Sequence, residues 1–322
     1  MDPGALNLAK LGNVLNFPPL FFSGDDLEEP PFDGTSFRAL TYLTAKQRDQ
    51  ALGAGALALT LSDWIDQRFT LPAPAVAKLL AVGPEDAAMY VRHAWKLGEK
   101  PVRNMIHLLE AHGVRVFSLV EECRELDAFS FWREDTPFIF LNTVKSAEHS
   151  RMDSAHELGH LVMHWKGISR GKDTEREAEA FASAFLMPKG SIVADAPRGA
   201  GIEALIKAKH RWNVSLSALV YRMHTLSMLT DWQYRSLFIE ISSHGFRTHE
   251  PEPSQPETSQ VLAKVFKSLR DEGVTRFDVA EELALSPEEV DRLIFGLVLT
   301  PLSGSSNASV VVGQKDPKLR LV

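Results

Sequence analysis

The chain has 322 residues, 44% of them hydrophobic, and sets 42 acidic side chains against 35 lysines and arginines, a formal net charge of −7. That is enough apolar material for two domains with a real core, and the acidic balance gives no electrostatic support for tight nucleic-acid binding. The single cysteine, Cys123, excludes an internal disulfide and a thiolate-bound structural zinc site.

No apolar run approaches the ~20 residues that cross a membrane. The start "MDPGALNLAKLGNVLNFPPLFF" lacks the basic residues and cleavage site of a secretory signal. The expected setting is the cytoplasm, with no membrane contact.

The periodicity places a first helix within 5–22, ending at Pro18–Pro19, followed by the acidic loop "SGDDLEEPPFDGTS". Helices are predicted at about 45–69, 84–97 and 101–112. The period then changes. "VRVFSLV", "DAFSFWR" and "PFIFLNT" are short and rich in aromatic or β-branched residues, and the last two pair across Glu134–Asp135. Three strands of a small antiparallel sheet are expected there. Helices return at 146–164, 174–187, 201–211, 215–228 and 230–243. The stretch "HEPEPSQPETSQ", 249–260, has the composition of a linker.

Beyond it, 274–298 shows helix-turn-helix spacing with Ser286 as a cap. Its second helix opens "PEEVD", which would set acids against phosphate. A packing or partner-binding role is expected there rather than DNA contact. The tail past about 301 is low in complexity, although "VVVG" can add a strand. The organisation reads as an N-terminal segment 1–44, a helical region 45–98, a catalytic domain 99–248, the linker 249–260 and a small helical module with tail 261–322. The fold class is α+β, mostly helical.

The chemistry is concentrated in "SAHELGHLVMHW", 154–165. Ala155, Leu158, Leu161 and Val162 recur at helical spacing, so His156 and His160 lie on one face. Two imidazoles so placed can share one tetrahedral zinc. Glu157 sits beside that metal without ligating it, where it can hold the attacking water and take its proton. Gly159 lets another backbone pass close by.

A third ligand is sought in "DTEREAEAFASAFLMP", 173–188, a second helical pattern. Glu175, Ala178, Glu179, Ala182 and Phe185 share one stripe, and Glu177 lies off it, toward solvent. Carboxylates on an inward stripe are costly unless a cation meets them. Glu175 is therefore the expected third zinc ligand and Glu179 a partner for a ligand histidine's other N–H. Two histidines and one glutamate leave a fourth position open, as in catalytic zinc sites.

These residues carry a resemblance. "HELGHLVMH" followed by "EREAEAFASAFLMP" is similar to the ImmA/IrrE family of metallo-endopeptidases, and the likeness extends over roughly 100–240. The resemblance implies a zincin-like domain in which His156, His160 and Glu175 bind the metal and Glu157 is the base. It implies as substrate a helix-turn-helix transcriptional repressor. "LAKLGNVLNFPPLFFSGDDLEE" resembles the last helix and exit of an Xre-type helix-turn-helix domain, so 1–44 is expected to be a remnant of one. Direct DNA binding by this chain is not expected, and nothing in it signals an oligomeric state.

Two further expectations complete the site. "DAFSFWR" or "PFIFLNT" offers an edge strand for an extended peptide, although Phe129 and Phe131 fit core packing better. An oxyanion donor is sought among His210, Tyr221, Arg222 and His224, and His164 is expected near the metal or at the surface. The competing reading is a metal-containing regulator that controls transcription through partner binding, without proteolysis. The intact Glu157 favours the peptidase.

Overall fold

The computed structural model describes residues 4–31, 44–119, 126–166, 171–199 and 201–298. Cys123 and the tail beyond 298, including the strand considered at "VVVG", lie outside them. The N-terminal helix α1 (Ala5–Leu15) is shorter than its periodicity suggests. Asn16 closes it in a left-handed conformation, φ 57°, and only a 3-10 turn, Pro19–Ser23, follows.

Helix α2 (Ala45–Arg68) opens on a capping box between Thr44 and Gln47 and buries eleven residues, mostly Ala and Leu. Helices α3 (Pro84–Ala94) and α4 (Met105–Ala111) lead into the sheet. Gly113, at φ 79°, makes that transition where any Cβ would strike the backbone of Ala73 and Pro74.

Strands β1 (Arg115–Ser118), β2 (Ala128–Arg133) and β3 (Thr136–Leu141) lie in the order β1-β3-β2. The hairpin β2–β3 is antiparallel, with Arg133 opposite Thr136 across Glu134–Asp135. The sheet is nevertheless mixed, which corrects the antiparallel expectation: β1 runs parallel to β3, pairing Val116 with Ile139. The hairpin presents β3's far side to β1, so Ser118 at the end of β1 and Ala128 at the start of β2 flank the same residue, Leu141, from opposite sides.

Phe129 and Phe131 are core residues. They stack on Phe140 and Phe138 with ring centroids 4.5 and 5.4 Å apart, on the sheet face away from Ser130 and Trp132.

Helix α5 (Ala147–Met163), capped by Ser146, lies across the other face of the hairpin, and α6 (Lys172–Leu186) packs along it. Gly159 makes that packing close: a Cβ there would stand 3.3 Å from the Cα of Ala178 and 3.0 Å from the Phe181 ring. Helices α7 (Lys189–Asp195), α8 (Ile202–Lys209), α9 (Leu216–Thr225) and α10 (Asp231–Ser243) continue the domain.

The stretch 249–260 is held to the body by buried groups. Glu148, fully buried, accepts from Ser254 N at 2.6 Å and pairs with Lys209 at 3.5 Å. Glu257 pairs with the buried Arg151 and accepts from Met105 N at 2.6 Å. Glu110 accepts from Ser259 Oγ, from Gln260 N at 2.8 Å and from Val261 N at 3.1 Å.

Helices α11 (Gln260–Asp271), α12 (Arg276–Glu282) and α13 (Pro287–Ile294) form the small C-terminal module. Its helix α13, the one that would read DNA, buries Val290, Leu293 and Ile294 and packs against β1 and α2. Glu282 of α12 accepts from Trp64 Nε1 at 2.8 Å.

Candidate metal centre

Helix α5 presents His156 and His160 one turn apart, and α6 brings Glu175 over them from its first turn. The two Nε2 atoms are 3.0 Å apart. Glu175 Oε2 lies 3.3 Å from His156 Nε2, and its Oε1 lies 3.7 Å from His160 Nε2. With bonds of about 2.0 Å, the edge of a tetrahedral zinc shell is about 3.3 Å, so these donor spacings fit such an ion. The donor set itself, two imidazoles and a carboxylate, suits zinc and other first-row divalent ions.

The electrostatics agree with that donor set. Burial works against the charge on Glu175, but hydrogen bonds and attraction from His156 and His160 outweigh it and hold its carboxyl far below the usual range. Burial likewise opposes charge on His156, and the Glu175 and Glu157 carboxylates outweigh it, holding its pKa above the ordinary value. The negative charge of Glu175 and Glu157 favours a positive charge at this place.

Glu157 is buried beneath β2 and stands outside the ligand trio. Its Oε2 accepts from Ser130 Oγ at 2.6 Å. Sequence reasoning passed over Ser130; the signal was a lone hydroxyl among aromatic residues on a strand that lies over the motif. The strand itself, β2, pairs only with β3 among the described residues, so it is an edge strand, as β1 is on the other side, and β3 is central.

The remaining candidates fall differently. Glu177 is largely exposed, as expected, but its Oε2 lies 2.9 Å from His164 Nε2, and His164 Nδ1 lies 3.1 Å from His160 Nδ1. Glu179 points to solvent, which corrects the expectation that it supports a ligand histidine.

None of the four oxyanion candidates reaches the trio. His210 pairs with Glu252, and Arg222 with Glu85 and Met187 O. His224 pairs with Asp231, and Tyr221 is exposed. A second group joins Asp127, just before β2, to His149 and Asp153, which lie one to two turns before His156 on α5, and Lys145 already supplies its positive charge at Asp127.

The comparison with protein families decides the assignment. Residues 109–224 match the IrrE N-terminal-like domain, peptidase family M78. This stretch is similar to the metallopeptidase domain of the ImmA/IrrE family. The match runs from the end of α4 to the end of α9 and so takes in the whole sheet, the HExxH helix and Glu175. A search of curated proteins gives no match. Among the described residues no helix is long and apolar enough to cross a membrane.

Proposed function

We propose that the chain is a zinc-dependent endopeptidase acting on a protein substrate in the cytoplasm, with His156, His160 and Glu175 as ligands and Glu157 as the base. The observation that carries this reading is the convergence of the three donors at 3.0–3.7 Å with Glu157 beside them but outside the trio. The bound ion supplies Lewis acidity toward water and the scissile carbonyl.

The protein's own groups do the rest. The Glu157 carboxylate, oriented by Ser130, takes the proton of the attacking water and delivers it to the leaving amine. The outer edge of β2 offers backbone donors and acceptors along which an extended peptide can align, with little demand on its sequence. Glu157 is buried against β2, while His156 and Glu175 remain partly open to solvent, which leaves the centre accessible.

The substrate that the family resemblance suggests is a helix-turn-helix repressor. The test is co-expression with the helix-turn-helix proteins encoded beside this chain, followed by a search for cleavage products. Products that vanish with chelator and with Glu157→Gln support the reading. A cellular phenotype that survives Glu157→Gln would instead favour regulation by partner binding.

A further inference from the structure

We propose that His164 and Glu177 are positioning residues for the metal: together they form a hydrogen-bonded relay that fixes the orientation and tautomer of His160. The inference rests on the metallopeptidase reading. A surface histidine–glutamate pair would by itself be ordinary. Here, however, the histidine's second nitrogen is directed inward, its Nδ1 3.1 Å from His160 Nδ1, while its Nε2 lies 2.9 Å from Glu177 Oε2. His164 is only 11% exposed at the side chain, while Glu177 reaches it from the solvent side.

Counting protons fixes the direction of each bond. A metal on His160 Nε2 requires that nitrogen's lone pair, so the ring's proton resides on Nδ1 and donates. His164 Nδ1 must then accept, which places the His164 proton on Nε2, where it donates to the Glu177 carboxylate. Each ring has one proton and one lone pair, and both are used. The chain ends on an ionised acceptor, which strengthens the bonds behind it and raises the basicity of His160 as a ligand.

The residues also explain how two helices cooperate in one centre. Helix α6 supplies a ligand, Glu175, from one side and, two residues on, an outer partner, Glu177. The two point about 200° apart on a 3.6-residue helix. They reach the same centre because His164, at the C-cap of α5, extends His160's reach by one ring.

The test uses the full chain and reads zinc affinity by chelator competition, together with the visible spectrum of the cobalt-substituted protein. His164→Ala should weaken zinc binding 10–100-fold, the range for loss of such outer partners, and shift the cobalt bands. His164→Asn, whose Oδ1 takes the place of Nδ1 as acceptor, should recover most of that loss. Glu177→Ala should weaken binding about tenfold, and Glu177→Gln, still an acceptor, should stay within a few-fold of the parent protein.

Glu179→Ala should change neither readout. Wild-type affinity and an unshifted cobalt spectrum in both His164→Ala and Glu177→Ala would overturn the relay. If His164→Ala fails to fold, Glu177→Ala, at an exposed position, decides alone. A parent protein that binds no zinc would defeat the metallopeptidase reading itself, a result distinguishable from tight binding that the variants leave untouched.

Discussion

The hydroxyl of Ser130, at the middle of edge strand β2, donates to the carboxylate of Glu157 at 2.6 Å. The bond ties the proposed base to the strand along which a substrate is proposed to align, so on that reading one residue couples the chemistry to the binding edge. Ser130→Ala should leave zinc content unchanged, since none of the ligands is touched. It should lower kcat about tenfold with little change in KM, the lower end of what a hydrogen bond to a charged group contributes. Steady-state kinetics on a peptide substrate, with metal analysis alongside, would check it. An unaltered kcat would mean that Glu157 is held by its other contacts.

Gly159 sets the distance between the helix that carries two of the candidate ligands and the helix that carries the third. Gly159→Val would drive its branches into Ala178 and Phe181, whose atoms already stand 3.0–3.3 Å from the position of a first carbon. Overpacking of this kind costs about 1–3 kcal/mol. It should also displace Glu175 from the histidines. Thermal unfolding should occur at lower temperature, and zinc affinity should fall by more than tenfold. A stable variant with unchanged zinc affinity would refute the claim that this contact sets the centre.

Asp153, one turn before Glu157, is a largely buried acid whose charge depends on pH. Burial pushes its pKa up to about 6 and the Glu157 charge adds to that, against the lowering influence of His149, Lys145 and His156. A folded pKa above the ordinary carboxylate value means that the native state holds the proton more tightly. The folded protein therefore loses stability as pH rises from about 4 through 6, and the whole cost is present above that.

Asp153→Asn should accordingly stabilise the metal-free protein at pH 7–8, by roughly 3 kcal/mol at most, and have no such effect near pH 4. Chemical denaturation at both pH values measures it. A gain of equal size at both would point to packing rather than ionisation.

Glu110, on α4, acts as an external cap for α11 by accepting from Ser259, Gln260 and Val261. Glu110→Ala removes three bonds to a charged acceptor, each ordinarily contributing about 1.5–3 kcal/mol when formed by an ionised group, though not additively. The C-terminal module should loosen first. Limited proteolysis within 249–260 should accelerate well before the catalytic domain melts. Uniform destabilisation of the whole chain would show that the module does not open separately.

Lys209 and Glu148 form a pair from which water is almost wholly excluded. Lys209→Met strands the Glu148 charge and should destabilise the protein by about 3–5 kcal/mol. Adding Glu148→Gln should recover part of that loss, because a neutral amide tolerates burial and can still accept from Ser254 N. A double-mutant cycle in denaturant gives the comparison.

The sequence by itself determined that His156, His160 and Glu175 are candidates for one metal centre, and which helices carry them. The reason is local: spacing along one helix decides that His156 and His160 share a face and that Glu175 and Glu177 do not. Short aromatic runs broken by Glu134–Asp135 likewise marked the hairpin.

The tertiary structure alone decided how separate elements meet. Whether β1 pairs parallel or antiparallel with β3 depends on which edge of the hairpin it docks against, and in which direction, which composition does not encode. The stretch 249–260 reads as a linker because its Pro, Glu and Ser are solvent-loving in general, yet Arg151 and Met105 supply partners that turn Glu257 into an anchor. The same holds at the centre: Glu179 shares the inward stripe but points to solvent, while Glu177, off the stripe, finds His164 at the end of α5. A side chain's own helix fixes its direction, but only the neighbouring helix decides what it meets there.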